Sequence, residues 1–136
     1  MTDEPDFDAL FAVAQPVQAR AYAPYSRFKV GAALLADDGA VYSGCNVENA
    51  SYPVGVCAEA GAISAMIAGG GRAIRALLVL GDGDALVTPC GGCRQRIREF
   101  AAPETLIAIA GPNGIRARFS LAELLPASFG PDNLRQ

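Results

Sequence analysis

Two short segments hold the residues whose types and spacing can do chemistry: Cys57-Ala58-Glu59 and, further along, Pro89-Cys90-Gly91-Gly92-Cys93. Each stands where a helix is expected to begin, and the unsatisfied N–H groups and macrodipole of a helix N-terminus favour a thiolate over a thiol. Cys90 and Cys93, three apart, share one face of a first turn and can grip one ion, with Cys57 of the neighbouring helix as third ligand. Three protein ligands on zinc leave the fourth position to water, as in a catalytic site and unlike a closed structural one. Glu59, two residues past Cys57, is poorly placed to bind the same ion but can reach that water and move its protons.

The chain contains no histidine. This excludes Ser-His-Asp triads, Cys-His proteases and H-E-x-x-H metalloproteases, all of which need an imidazole. Any general acid or base is then a carboxylate, Lys, Tyr or Cys, and any transition-metal site must lean on thiolate. Plainer readings exist for each residue. A C-x-x-C pair alone is more often a structural zinc half-site or a redox pair, and only its combination with C-x-E is specific. A closed structural site needs a fourth ligand. Cys45 is the one spare thiol, and at the end of an expected strand it reads as a core cysteine. Glu59 has a minor reading as a helix-start carboxylate favoured by the dipole alone.

The elements that must position these residues follow from periodicity and turn chemistry. Phe7, Leu10, Phe11, Ala14, Gln18 and Ala21 mark an amphipathic helix, weakened by Gln18 and kinked or split by Pro16, and ended by Ala23-Pro24-Tyr25-Ser26. Lys29–Ala36 and Ala40–Cys45 flank Asp37-Asp38-Gly39 and form an antiparallel pair. Residues 46–56 are polar, carry Pro53 and Gly55, and read as a loop. Cys57–Ala68 is helical and closed by Gly69-Gly70-Gly71. Leu77–Leu80 is an all-apolar strand, expected where helices cover both faces of a sheet. A second helix over Cys90–Phe100, strands at Thr105–Ala110 and Ile115–Phe119, and a capping box Ser120-x-x-Glu123 stopped by Pro126 complete the order α-β-β-α-β-α-β-β-α. The fold class is therefore α/β: a mixed five-stranded sheet in a three-layer α-β-α arrangement, with residues 1–136 as one domain.

The bulk properties narrow the function. At 136 residues and 51% hydrophobic content the chain is long enough for one real core. No apolar run reaches the ~18 residues of a membrane span. The N-terminus, Met1-Thr2-Asp3-Glu4-Pro5-Asp6, is acidic where a secretory signal is basic and then apolar, which points to the cytoplasm. A formal charge of −3 argues against a polynucleotide partner and for a small neutral substrate. In a reducing compartment four cysteines do not read as a disulfide framework.

With these residues in place the sequence resembles the cytidine deaminase family, in its small single-domain branch. The resemblance runs from Tyr22-Ala23-Pro24-Tyr25-Ser26 with Phe28, Val30 and Gly31, through residues 44–53 (Gly44-Cys45-Asn46-Val47-Glu48-Asn49-Ala50-Ser51-Tyr52-Pro53), to Pro89-Cys90-Gly91-Gly92-Cys93-Arg94-Gln95 and Phe129-Gly130-Pro131. It implies one Zn2+ per subunit on Cys57, Cys90 and Cys93, with Glu59 as proton shuttle for attack of water at C4 of a cytosine. It further implies that Asn46 and Glu48 hold the ribose hydroxyl and that Phe28 packs near the base. Ala58 lies against the substrate, and Phe129 is contributed to a neighbouring subunit's site in a homotetramer with shared active sites. The expected partner is a small nucleoside, with neither a nucleic acid polymer nor a membrane.

One departure stands out. Where the family's small branch places an arginine that hydrogen-bonds the cysteine sulfurs, this chain has Ala60, followed by Gly61. Zinc with three thiolates carries −1, so another basic group near the sulfurs, with Arg94 nearest in sequence, or backbone donors must compensate. Gly61 costs a helix about 1 kcal/mol against Ala, which suggests close packing there. The leading activity is hydrolytic deamination of cytidine and 2'-deoxycytidine. The alternatives are deamination of a cytosine nucleoside antibiotic and a zinc-stapled binding module without catalysis, in which Glu59 is incidental.

Overall fold

The apolar run at Leu77–Leu80 is the middle of a longer strand, β3 (Ile74–Gly81), at the centre of the sheet. Its beginning is hidden in the sequence because Arg75 points outward and Arg72 precedes it. The computed structural model describes residues 4–135, so Met1-Thr2-Asp3 of the acidic N-terminal segment lie outside the described residues. Around β3 the order of elements is α1 (Phe7–Ala19), β1 (Val30–Ala36), β2 (Val41–Cys45), α2 (Ala58–Ala68), then β3, α3 (Gly91–Phe100), β4 (Leu106–Gly111), β5 (Gly114–Ser120) and α4 (Leu121–Leu124).

The five strands lie in the order β2-β1-β3-β4-β5. Only β3 and β4 run parallel, while the other three pairs are antiparallel. The sheet is mixed, as expected. Strand alternation sends Ala76, Leu78 and Leu80 to one face, where Phe7, Leu10 and Ala14 of α1 cover them. Leu77 and Val79 point the other way, against Ala62 and Met66 of α2, Ile97 of α3 and Leu121 of α4. Both faces are thus buried, which is why β3 reads as a continuous apolar run rather than an alternating one. Each fully buried Leu, Ile or Phe contributes about 1.5–3 kcal/mol of transfer free energy to this packing.

Of the two outcomes expected at Pro16, a kink or a split, the split does not occur: α1 runs through Pro16, which lies on the exposed face, where the carbonyl left without an N–H partner is open to water. The helix ends at Ala19, short of Ala21. Asp6 caps its start by accepting the Ala9 N–H at 3.0 Å. Gln18 is a polar intruder in the apolar pattern, and its hydrogen bonds explain why it is there. Its Nε2 donates to the Lys29 carbonyl and to Asp82 Oδ1, both at 3.1 Å, tying α1 to the start of β1 and to the loop after β3.

Close approach of α2 to β2 sets the position of the first cysteine. A Cβ on Gly44 would stand 2.5 Å from the Ala58 carbonyl and 2.5 Å from the Ala62 nitrogen, so only glycine lets the helix lie so near the strand. The packing constraint therefore falls on Gly44. A Cβ on Gly61 would meet its nearest neighbour, Gly44 Cα, at an ordinary 3.6 Å, which corrects the expectation that tight packing demands glycine at 61.

Candidate metal and catalytic site

Cys57 is the N-cap of α2 and Cys90 the N-cap of α3, one residue outside each helix, and Cys93 lies in the first turn of α3. The Cys57 side chain makes no capping bond to α2, whereas the Cys90 sulfur sits close enough to the Cys93 N–H of α3 to be stabilised by it. The two helices emerge beside each other, and the three sulfurs lie within 4.8 Å of one another. Among the described residues this is the one cluster of three or more potential ligands. Cys45, read from the sequence as a core cysteine, is half-buried and stands outside the cluster, so it is not a fourth ligand.

The donor set fits zinc. Zn–S bonds near 2.3 Å hold sulfurs about 3.8 Å apart, so the triangle needs only small side-chain adjustment to close on one ion. Thiolate donors are the soft ligands zinc accepts, and three of them leave one position open. The thiols themselves are uneven. The Cys93 N–H holds the Cys90 thiol below its usual range, whereas burial pushes Cys57 and Cys93 up, Cys93 strongly, with the Glu59 charge adding to the effect. Three anions in so small a space require a cation to share them.

Glu59, in the first turn of α2, is 5% exposed, and its carboxyl is not among the clustered ligand atoms. Burial raises its pKa, opposed in part by the Arg96 charge. A carboxylate held out of water in this way is primed to accept a proton. It lines an inner cavity of about 220 Å³ together with Cys57, Ala58, Cys90, Asn46 and Thr88. An outer cavity of about 470 Å³, walled by Tyr25, Ser26, Asn46, Glu48, Tyr52 and Cys57, adjoins it through the shared Asn46 and Cys57. Sulfurs and carboxylate thus lie at the inner end and polar loop residues at the outer end.

Of the other residues singled out in the sequence, Asn46 and Glu48 reach the cavity and also build it. Asn46 Oδ1 accepts the Val30 N–H at 2.9 Å, and its Nδ2 donates to the Phe28 carbonyl at 2.8 Å, leaving one lone pair and one N–H for a ligand. Glu48 Oε1 accepts the N–H groups of Tyr25 at 2.9 Å and Ser26 at 3.1 Å, while Oε2 accepts the Ser26 hydroxyl. The Ser26 hydroxyl bond is the leading reason its carboxyl sits below the usual range. The turn held by Glu48 includes Arg27 at φ 59°, an uncommon value for a residue other than glycine. Ala58 is buried in the inner wall. Phe28 and Phe129 are partly exposed and line neither cavity; Phe129, 59% exposed, is held through its carbonyl by Gln95 Nε2 at 2.8 Å.

The basic group at the sulfurs is not Arg94. Its guanidinium donates to the Pro89 carbonyl at 2.7 Å, the Leu124 carbonyl at 2.8 Å and Thr88 Oγ1 at 3.0 Å, which bolts the segment before Cys90 to the end of α4. Arg96 is the residue that approaches, with Nη1 3.6 Å from Cys93 Sγ. Sequence reasoning missed it, although the three-residue spacing from Cys93 to Arg96 carried the signal. Reasoning from motif also left Tyr25, Ser26 and Tyr52 without a role, yet they form the outer wall, with the two tyrosine rings edge to face at 5.9 Å.

An α-β-α sandwich with three clustered thiols and a buried carboxylate at the starts of two helices, opening on a surface pocket, is the arrangement of a thiolate-ligated metal hydrolase. Comparison with known proteins makes this specific. Residues 6–109 match the model of the cytidine and deoxycytidylate deaminase zinc-binding region, and the chain belongs to that family. A cytidine deaminase of Mycobacterium tuberculosis is 46% identical over 130 residues, spanning 95% of this chain and 93% of that protein. One from Sporosarcina psychrophila is 40% identical over 129 residues, 95% of each chain. The crystal structure of cytidine deaminase from Burkholderia pseudomallei superposes with a TM-score of 0.83 at 41% identity, covering 95% of this chain and 100% of that one.

Proposed function

We propose that this protein is a zinc-dependent hydrolase that converts cytidine and 2'-deoxycytidine to uridine and 2'-deoxyuridine, releasing ammonia. The observation that carries this reading is the convergence of Cys57, Cys90 and Cys93, with Glu59 in the wall of the cavity they open on. Family membership and the 40–46% identity to cytidine deaminases support it.

Zinc held by the three sulfurs supplies Lewis acidity that makes water nucleophilic at neutral pH. Glu59 takes the proton that water loses as its oxygen bonds to C4, and delivers it to N3 of the pyrimidine. It then carries the proton of the new C4 hydroxyl to the departing amino group. The C4–N4 bond breaks, ammonia leaves, and C4 becomes the carbonyl of uridine. Burial of Glu59 suits both halves, because a raised pKa lets it accept and return protons in turn. Ala58 packs against the base in the inner cavity. The remaining N–H of Asn46 and the free lone pair of Glu48 take the sugar hydroxyls in the outer one.

The protein assembles as a homotetramer in the cytoplasm, in which Phe129 is contributed to a neighbouring subunit's site, while Phe28 packs near the base. In keeping with this, Tyr22, Tyr52, Val54 and Phe129 expose apolar side chains that a partner subunit would cover. Among the described residues no helix is long and apolar enough to cross a membrane. The test is to incubate the zinc-loaded protein with cytidine and follow uridine and ammonia. Stoichiometric appearance of both supports the reading, and no conversion by protein of full zinc content refutes it.

A further inference from the structure

We infer that Arg96 is a positioning residue of the metal centre: its guanidinium, against Cys93 Sγ, supplies the positive charge that keeps three thiolates on one dication. This rests on the zinc reading of the cysteine cluster. Three observations converge on it. Arg96 Nη1 lies 3.6 Å from Cys93 Sγ and is the one arginine nitrogen hydrogen-bonded to a ligand sulfur among the described residues. The residue one turn earlier is Gly92, where a Cβ would stand 3.3 Å from Arg96 Nη1. The bare backbone there leaves room for the guanidinium to fold back along α3 toward the sulfurs. Arg96 makes no salt bridge among the described residues, and the carboxylate that feels its charge, Glu59, belongs to the same site.

The electrostatic need is simple. Loading releases three thiol protons to solvent and leaves zinc with three thiolates, a centre of net charge −1, and a fixed cation beside a sulfur favours that product. Arg94, the other candidate, spends its donors on three oxygen acceptors and cannot serve. A guanidinium suits this role because it stays charged under all working conditions and is weakly hydrated. Arg96 touches neither cavity, so it acts on the substrate only through the sulfurs and Glu59.

The test uses the full-length protein and three forms: parent, Arg96→Gln and Arg96→Lys. Zinc affinity is measured by competition with a chromophoric chelator, and kcat and KM for cytidine on the fully loaded forms. Loss of the partner of a metal ligand costs about 10- to 100-fold in affinity or activity. Arg96→Gln is expected to weaken zinc binding by that range and to lower kcat with KM within about twofold. Arg96→Lys is expected to recover part of both. Zinc affinity of Arg96→Gln within about twofold of the parent overturns the inference, as does a loss that Lys leaves wholly unrepaired. If the parent binds zinc but leaves cytidine intact, the deaminase reading fails while the affinity comparison still decides the role of Arg96.

Discussion

Glu48 grips Ser26 through both carboxylate oxygens, one on the backbone N–H and one on the hydroxyl, with the Tyr25 N–H sharing Oε1. A residue assigned to sugar binding therefore also shapes the wall that meets the sugar. Replacing Glu48 by Gln keeps an acceptor but removes the charge that orders this turn. KM for cytidine is expected to rise about tenfold or more, as for loss of a charge-assisted hydrogen bond, with a smaller fall in kcat. Steady-state kinetics at fixed zinc content check this.

Gly44 and Gly61 give a paired prediction about what seats the first cysteine. Gly44→Ala drives a methyl into the backbone of α2 and is expected to destabilise the protein by about 1–3 kcal/mol while disturbing Cys57 and Glu59. Gly61→Ala meets only ordinary contacts and gains helix propensity, stabilising by up to about 1 kcal/mol. Urea denaturation of the two variants should move the midpoint in opposite directions.

Asp37 anchors the turn between β1 and β2 to the start of β3. Its Oδ1 accepts the N–H groups of Arg72 at 3.0 Å and Ala73 at 3.2 Å, which hold its carboxyl below the usual 3.8. A depressed carboxyl stabilises the fold above its unfolded pKa, and that contribution is lost as pH falls through the folded value. Asp37→Asn keeps the acceptor and deletes the charge. Its melting temperature should lie below the parent's at neutral pH, with the gap shrinking below about pH 4 and closing in stronger acid. A gap independent of pH would show that charge plays no part.

Much of this chemistry is legible in the sequence because it is local. Cys57, Glu59, Cys90 and Cys93 announce themselves by spacing at two helix starts, and the structure brings the three sulfurs together with Glu59 in the wall beside them. What stays hidden depends on distance along the chain or on rotation about a helix. Arg94 stands next to a ligand in sequence but turns toward α4, whereas Arg96 comes round to the sulfur after nearly a full turn. The glycine that matters for seating α2 is on the strand it packs against, and only the packed pair distinguishes Gly44 from Gly61. Pro16 does not split α1, and it lies on an exposed face, which a linear pattern does not reveal and where an orphaned carbonyl can be hydrated.

Phe129 offers a test of shared sites. Arg98 bonds Ser128 Oγ at 2.9 Å and Asp132 at 3.5 Å, and Gln95 holds the Phe129 carbonyl, so α3 fixes the segment while the ring projects outward. Phe129→Ala is expected to raise KM about tenfold. Mixing it with Glu59→Gln after dissociation and reassembly should restore parental sites, because Glu59 and Phe129 then come from different chains. Activity no greater than the sum of the two variants would place Phe129 in its own chain's site or in none.

Glu59→Gln should retain zinc and fold while losing about 100- to 10,000-fold in kcat, the range for removing a positioned acid–base group. Metal analysis alongside kinetics separates loss of chemistry from loss of the ion. A non-catalytic zinc module would be indifferent to the change.

The most direct measurement is zinc X-ray absorption on the loaded protein. Three sulfur neighbours at about 2.3 Å and one light oxygen neighbour are the expected shell, with that oxygen position perturbed when a transition-state analogue of cytidine hydration is added. Four sulfur neighbours, or a shell that the analogue leaves untouched, would contradict an open metal position beside Glu59.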